Sequence, residues 1–236
     1  MCSVVGIILK NPTQKDFDSI KRVFLESKIR GMHATGISYV KNNRVITEKH
    51  PVPADKFPWD FPSYVNEDGN VYLVGHCRYS TSDLQFNQPI ANSTTAIAHN
   101  GVITQELPER WEELYGYKCT TKNDTELLLR TIENSECPLT KWSTASLAVC
   151  ELWSSKTLRF YRNGKRPIYF TLVENGVIIT STEDIIDRAK INGVTSNAPM
   201  GAYLSFDKNL AMSVYNVTIN NPDLQKVDYE IETISI

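Results

Sequence analysis

The residue best equipped for chemistry is a cysteine directly behind the first methionine, in Met1-Cys2-Ser3-Val4-Val5-Gly6. Removal of Met1, which the small Cys2 side chain permits, puts a thiol and a free α-amine on one residue. A thiol attacks as thiolate and titrates near ~8.5 when free, whereas an α-amine titrates near ~7.7–8.0. The amine is therefore a general base of suitable strength for its own side chain, the arrangement of N-terminal nucleophiles. A second-position cysteine can equally be passive, and chain termini fray unless something ties them down. Here Cys2 leads into Val4-Val5-Gly6-Ile7-Ile8-Leu9, an apolar run that reads as a buried strand. The sequence thus predicts a terminus held inside a sheet.

The other reactive side chains are scattered. The five cysteines, Cys2, Cys77, Cys119, Cys137 and Cys150, are odd in number and form no close pairs. That argues against a disulfide framework or a zinc ribbon and fits a reduced, cytoplasmic protein. The four histidines, His33, His50, His76 and His99, show no HExxH or similar ligand spacing, so no metal is expected. His33, His76 and His99 read as core histidines rather than catalytic groups. No GxGxxG or P-loop motif marks a nucleotide site, and no cofactor is expected. A formal net charge of -2 supplies no field for nucleic acid or an anionic membrane. No apolar run approaches the roughly 20 residues of a transmembrane helix. A signal peptide is not expected either, because Lys10-Asn11-Pro12 ends the first apolar stretch too early.

The elements that must position these residues follow from periodicity. Thr13-Gln14-Lys15-Asp16 resembles a capping box, with Phe17, Ile20 and Phe24 on one face of a helix running to about Lys28. Gly31 follows as a left-handed cap. Met32–Val40 reads as a turn entering a strand, joined at Lys41-Asn42-Asn43-Arg44 to a second strand, Val45–Thr47. The stretch 51–69, rich in proline and aromatics, reads as irregular and either functional or mobile. Val71–His76 and Thr95–Ala98 read as strands, and Asn123-Asp124-Thr125-Glu126 opens a helix with Asn123 as its cap. The second half is rich in strands, from Ser146 to Tyr215. Asn163-Gly164 and Asn175-Gly176 supply hairpin turn signals, and one helix is expected at Glu183–Lys190. Many antiparallel strands with few helices indicate an α+β protein, and 1–236 reads as a single domain of 236 residues with a hydrophobic fraction of 41%. Asn100-Gly101 alone is the commonest hairpin turn dipeptide.

Five stretches in order carry a resemblance: Met1-Cys2-Ser3-Val4-Val5-Gly6, Arg30-Gly31 with Thr35-Gly36, Gly75-His76 with Arg78-Tyr79-Ser80-Thr81, His99-Asn100-Gly101, and Asn123-Asp124-Thr125-Glu126. Together they resemble the glutaminase domain of class II glutamine amidotransferases, members of the N-terminal nucleophile (Ntn) hydrolase superfamily. Similar domains belong to glucosamine-6-phosphate synthase, phosphoribosyl-pyrophosphate amidotransferase and asparagine synthetase. The resemblance implies a four-layered αββα sandwich of two mainly antiparallel sheets, with the nucleophile on an edge of one inner sheet.

It also implies roles. Cys2 attacks the glutamine side-chain carbonyl to give a γ-glutamyl thioester, while the Asn100 amide and the Gly101 N–H form the oxyanion hole. Arg78 clamps the substrate α-carboxylate, Asp124 pairs with its α-ammonium, and Thr81 belongs to the same binding stretch. Arg30 and Gly31 order a loop beside the site. Two departures stand out: Ser82-Asp83 replace a common His-Gly, and Met32-His33-Ala34 replace a common Tyr-Asp-Ser. The implied activity is glutamine hydrolysis that delivers ammonia to a separate synthase partner. Two other readings stay open: an amidohydrolase for another γ-glutamyl or side-chain amide, favoured by Ser82-Asp83 and the 51–69 stretch, and a silent glutamine-sensing module.

Overall fold

The computed structural model describes residues 2–79 and 87–217 of the chain. The apolar run after Cys2 forms β1 (Ser3–Leu9), buried along its whole length. Both faces are covered, and this is why the strand reads as continuous rather than alternating. Val4 and Ile8 point into one core, and Val5, Ile7 and Leu9 into another. Helix α1 (Gln14–Ser27) starts as expected: the Asp16 carboxylate accepts the Thr13 N–H and the Thr13 hydroxyl, both at 2.7 Å. Strands β2 (Ala34–Lys41) and β3 (Arg44–His50) form a hairpin whose turn places Asn42 and Asn43 at positive φ.

The stretch 51–69 is irregular as expected, apart from one helical turn, and it forms a packed strap. It contains the short helix α2 (Phe61–Tyr64), and its rings stack in sequence over Phe24 of α1. Phe57 and Tyr64 are buried against the outer face of the sheet that holds β1.

Then come β4 (Val71–Arg78), the short β5 (Ile90–Ala91) and β6 (Thr95–His99). Helices α3 (Trp111–Tyr115), α4 (Thr125–Glu133) and α5 (Pro138–Lys141) follow. The second half adds β7 (Ala148–Trp153), β8 (Thr157–Arg162), β9 (Tyr169–Val173) and β10 (Gly176–Thr180). It closes with α6 (Glu183–Arg188), β11 (Val194–Asn197), β12 (Ala202–Phe206) and β13 (Met212–Asn216). Asn175-Gly176 does end a hairpin, between β9 and β10. Asn163-Gly164 does not: it leads from β8 in one sheet to β9 in the other. The buried Asn163 amide instead accepts the Leu147 N–H at 3.1 Å and donates to the Ala145 carbonyl at 2.7 Å.

Among the described residues the strands form a seven-stranded sheet, β11-β9-β10-β1-β4-β2-β3, and a six-stranded sheet, β13-β12-β8-β7-β6-β5. Every named pairing is antiparallel. One core lies between the sheets; a second lies under α1, α6 and the strap; a third lies under α3, α4 and α5. This is the expected αββα sandwich. The expected edge position of Cys2 is corrected: β1 sits between β10 and β4, so Cys2 lies at the end of a central strand. A central strand has both of its ladders filled, which is how this end of the chain avoids fraying. The remaining tie at its start is the Val4 N–H, donated to Ser181 Oγ at 2.8 Å.

Candidate active site

The register of β1 on β4 pairs Ser3 with Cys77 and Val4 with His76. Carried one residue further, it sets Cys2 opposite Arg78. Side chains alternate along a strand, so Cys2 shares the inter-sheet side with Val4, and Arg78 shares it with His76 and Val74. Cys2 is half-buried; its Sγ lies 3.8 Å from the Tyr79 carbonyl, and its own carbonyl accepts Arg30 Nε at 3.3 Å. Burial pulls the Arg30 guanidinium below its usual value, with Asp184 opposing and Arg166 adding to the depression.

Gly31 is where the loop after α1 touches β4. A Cβ there would stand 2.2 Å from the Cys77 carbonyl oxygen. The left-handed cap expected at Gly31 does not form, because its φ is not positive; close approach to the backbone beside Arg78 is what excludes a side chain. The neighbouring His33 N–H donates to the Arg78 carbonyl at 3.0 Å. Cys2, Arg30, Gly31 and Arg78 thus form one contiguous group at the end of β1, β4 and β2.

A second group forms where β6 ends. The Asn100 N–H donates to the Ala148 carbonyl at 2.9 Å, and Val102 and Ser146 exchange backbone bonds. The chain therefore continues alongside β7 and makes no hairpin at Asn100-Gly101. A Cβ on Gly101 would meet the Ser146 oxygen at 1.7 Å and His99 Nε2 at 2.6 Å, so only glycine fits. Asn100 is buried on the side of β6 that carries Ala96 and Ala98 into the inter-sheet core. Its Nδ2 has no hydrogen-bond partner. A buried donor left unpaired costs about 1–3 kcal/mol.

Asp124 joins this group through its Oδ2, which accepts the Ile103 N–H at 2.7 Å. Asn123 caps α4 as expected, its Oδ1 accepting the Thr125 N–H at 3.1 Å. The His99 ring lies between the two segments: Nε2 donates to the Ser146 carbonyl at 2.8 Å, and the Thr125 hydroxyl reaches Nδ1 at 3.4 Å. Burial lowers the His99 pKa, with Asp124 opposing, and the ring is a neutral structural strut. His76, fully buried, is held at about 3 chiefly by burial, with Arg78 and His99 adding. Because β4 packs over β6 and His76 feels His99, the two groups occupy the same end of the sandwich. Thr81, Ser82 and Asp83 lie outside the described residues.

Among the five free cysteines, burial pushes the Cys77 thiol up to about 12, the Cys119 thiol up to about 11 and the Cys150 thiol well above its ordinary value. None of these three is a nucleophile at neutral pH. Gln88, which anchors the end of β6, was missed from the sequence, and Ser181 was read there only as a cap candidate, with Thr182, for the helix at Glu183–Lys190; Thr182 occupies that cap position, and Ser181 anchors the start of β1. Among the described residues no cluster of three His, Cys, Asp or Glu is placed to hold a metal, and no helix is long and apolar enough to cross a membrane.

No curated protein matches the chain. Among solved structures, it resembles the glutamine phosphoribosylpyrophosphate amidotransferase from B. subtilis complexed with ADP and GMP, at a TM-score of 0.69 and 18% identity. It also resembles an allosteric regulatory enzyme of purine biosynthesis, at 0.71 and 19%. Each alignment covers 93% of this chain but 50% of the solved one, so the chain spans half the length of both. The shared feature is the fold, a sandwich of two antiparallel sheets between layers of helices. The family described as the glutamine amidotransferase domain matches residues 60–221, more than half of the chain, a stretch that holds Arg78, Asn100, Gly101 and Asp124 but not Cys2, Arg30 or Gly31. On that match, the chain belongs to the glutamine amidotransferase domain family.

Proposed function

We propose that residues 1–236 act as a single glutaminase domain that hydrolyses the side-chain amide of glutamine and passes the ammonia to a separate synthase. Cys2 Sγ attacks the amide carbon after its proton moves to the Cys2 α-amine, freed by removal of Met1. The C–N bond breaks, the relayed proton goes to the leaving nitrogen, and ammonia departs. Water then adds to the γ-glutamyl thioester, the C–S bond breaks, and glutamate and the thiol are regenerated. The Asn100 Nδ2 and the Gly101 N–H receive the oxyanion of each tetrahedral intermediate.

Arg78 takes the substrate α-carboxylate in the bidentate manner suited to a guanidinium. Asp124, with one oxygen already on Ile103 N, offers the other to the α-ammonium. Thr81 completes the binding stretch, and Arg30 and Gly31 hold the Cys2 backbone against β4. The five free thiols suit a reducing compartment, which supports a cytoplasmic setting.

The observation that carries this reading is the unpaired, buried Asn100 Nδ2, on the same interior side as Cys2. The test is the intact mass of the protein before and after exposure to a diazo-ketone glutamine analogue. The expected result is a mass lacking Met1, one adduct mapping to Cys2, and neither adduct nor turnover in Cys2→Ala. Turnover retained in Cys2→Ala, or an adduct on another cysteine, removes the nucleophile. Processing without an adduct redirects the reading to a different amide.

A further inference from the structure

Strand β6 outruns its partner. Ile90 pairs with Ile97 and Ala91 with Ala96, so the same register sets Gln88 opposite His99, with Pro89 between. β5 begins only at Ile90, so no strand carbonyl stands opposite the end of β6. The His99 N–H, last in β6, would face a gap in the sheet. It is met instead by the Gln88 side chain, whose Oε1 accepts it at 2.7 Å in a buried setting.

We propose that Gln88 is a positioning residue for the oxyanion turn, its side-chain carbonyl replacing the missing strand oxygen and fixing the backbone of His99 and hence of Asn100-Gly101. This inference rests on the glutaminase reading and deepens it.

The clamp is anchored on both sides. The Gln88 N–H donates to Asn87 Oδ1 at 2.8 Å, and the Asn87 carbonyl accepts Lys49 Nζ at 3.0 Å, which ties the segment to β3 in the other sheet. Opposite, the His99 ring is fixed between the Ser146 carbonyl and Thr125, the residue after Asp124. Its Nε2 also fills the space where Gly101 would carry a side chain. A shift of the His99 backbone therefore moves Asn100 Nδ2 and the Gly101 N–H together, away from the carbon attacked by Cys2. Misplacement by about 1 Å is enough to cost roughly 10²-fold in rate.

Gln88→Met keeps the volume and removes the acceptor; Gln88→Glu keeps the acceptor. The expected result is a kcat for glutamine about 10- to 100-fold lower in Gln88→Met, with KM within about threefold, and recovery to within a few-fold of the parent in Gln88→Glu. Residues that act as a unit are not additive, so Gln88→Met added to Asn100→Ala, where only the Gly101 N–H is left to misplace, should slow the enzyme by clearly less than it slows the parent. If Gln88→Met does not fold, Gln88→Asn, which draws the acceptor back by one methylene, should show the same kcat-selective loss to a smaller degree. A parent that fails to turn over glutamine sinks the glutaminase reading. An active parent with kcat unchanged in the folded variants, or with fully additive losses in the double variant, sinks the role of Gln88.

Discussion

The aromatic strap on the outer face of the β1 sheet and the polar floor at the end of β4 and β6 are both buried, yet they are built on opposite terms. In the strap the main polar handles are met: Trp59 Nε1 donates to the Ala54 carbonyl at 2.9 Å, and the Tyr64 hydroxyl accepts the Asp60 N–H at 3.0 Å. Its rings lie 4.7 to 5.4 Å apart in a chain from Phe57 through Trp59 to Phe61. On the floor, Asn100 Nδ2 is buried without a hydrogen-bond partner among the described residues. Saturated packing marks a region that holds the molecule together. Unsatisfied polar groups mark one that gives up stability for work done elsewhere.

Substitutions can break or sharpen that contrast. The largest effect belongs to the strap: Phe57→Ala should cost about 3–5 kcal/mol of unfolding free energy and leave kcat/KM per folded molecule unchanged. Denaturant titration beside active-site counting would check it, and a selective loss of turnover would end the purely structural role. Asn100→Ala should do the reverse. Turnover should fall ~10²–10³-fold, while stability holds or rises slightly because an unpaired buried donor is gone. A thermal unfolding midpoint as damaged as that of Phe57→Ala, with turnover preserved, would erase the distinction.

The smallest effect, about 2 kcal/mol between pH 7 and pH 5, is a pH dependence. The native His76 pKa lies near 3, whereas an unfolded histidine titrates near ~6.5. Between those values the unfolded chain binds a proton that the native chain refuses. The contribution of His76 is therefore intact above about pH 6.5 and drains away as pH falls toward 3, by about 1.4 kcal/mol per unit. His99, shifted in the same direction, adds to it. Unfolding measured at pH 7 and pH 5 should show a smaller acid loss in His76→Asn than in the parent; equal losses would detach His76 from the effect.

Local chemistry was the legible part. The apolar run behind Cys2, the Thr13–Asp16 box and the Asn123 cap are written in neighbouring residues, and each formed as read. What depends on distant partners was not legible. The same aromatics that make 51–69 look like a loop make it adhesive once α1 supplies Phe24. Short elements such as β5, β11, α3 and α5 carry too few residues to show a period. Asn163-Gly164 has hairpin chemistry, but its amide is used to staple β8 to the approach of β7. The described site residues, Cys2, Arg30, Gly31, Arg78, Asn100, Gly101 and Asp124, fall into two contact groups at one end of the sandwich, and that meeting required the sheet order, which no stretch of sequence encodes by itself.

The central place of β1 also sets a schedule. One of its ladders is completed by β4, but the other waits for β10, where Val5 meets Thr180. A chain growing on the ribosome therefore carries Cys2 long before it can carry the strand that locks Cys2 in position. Contacts so distant in sequence are closed late and slowly. The thiol thus acquires its fixed surroundings only after nearly all of the domain has been made, so an incomplete chain offers a cysteine but no organised site around it.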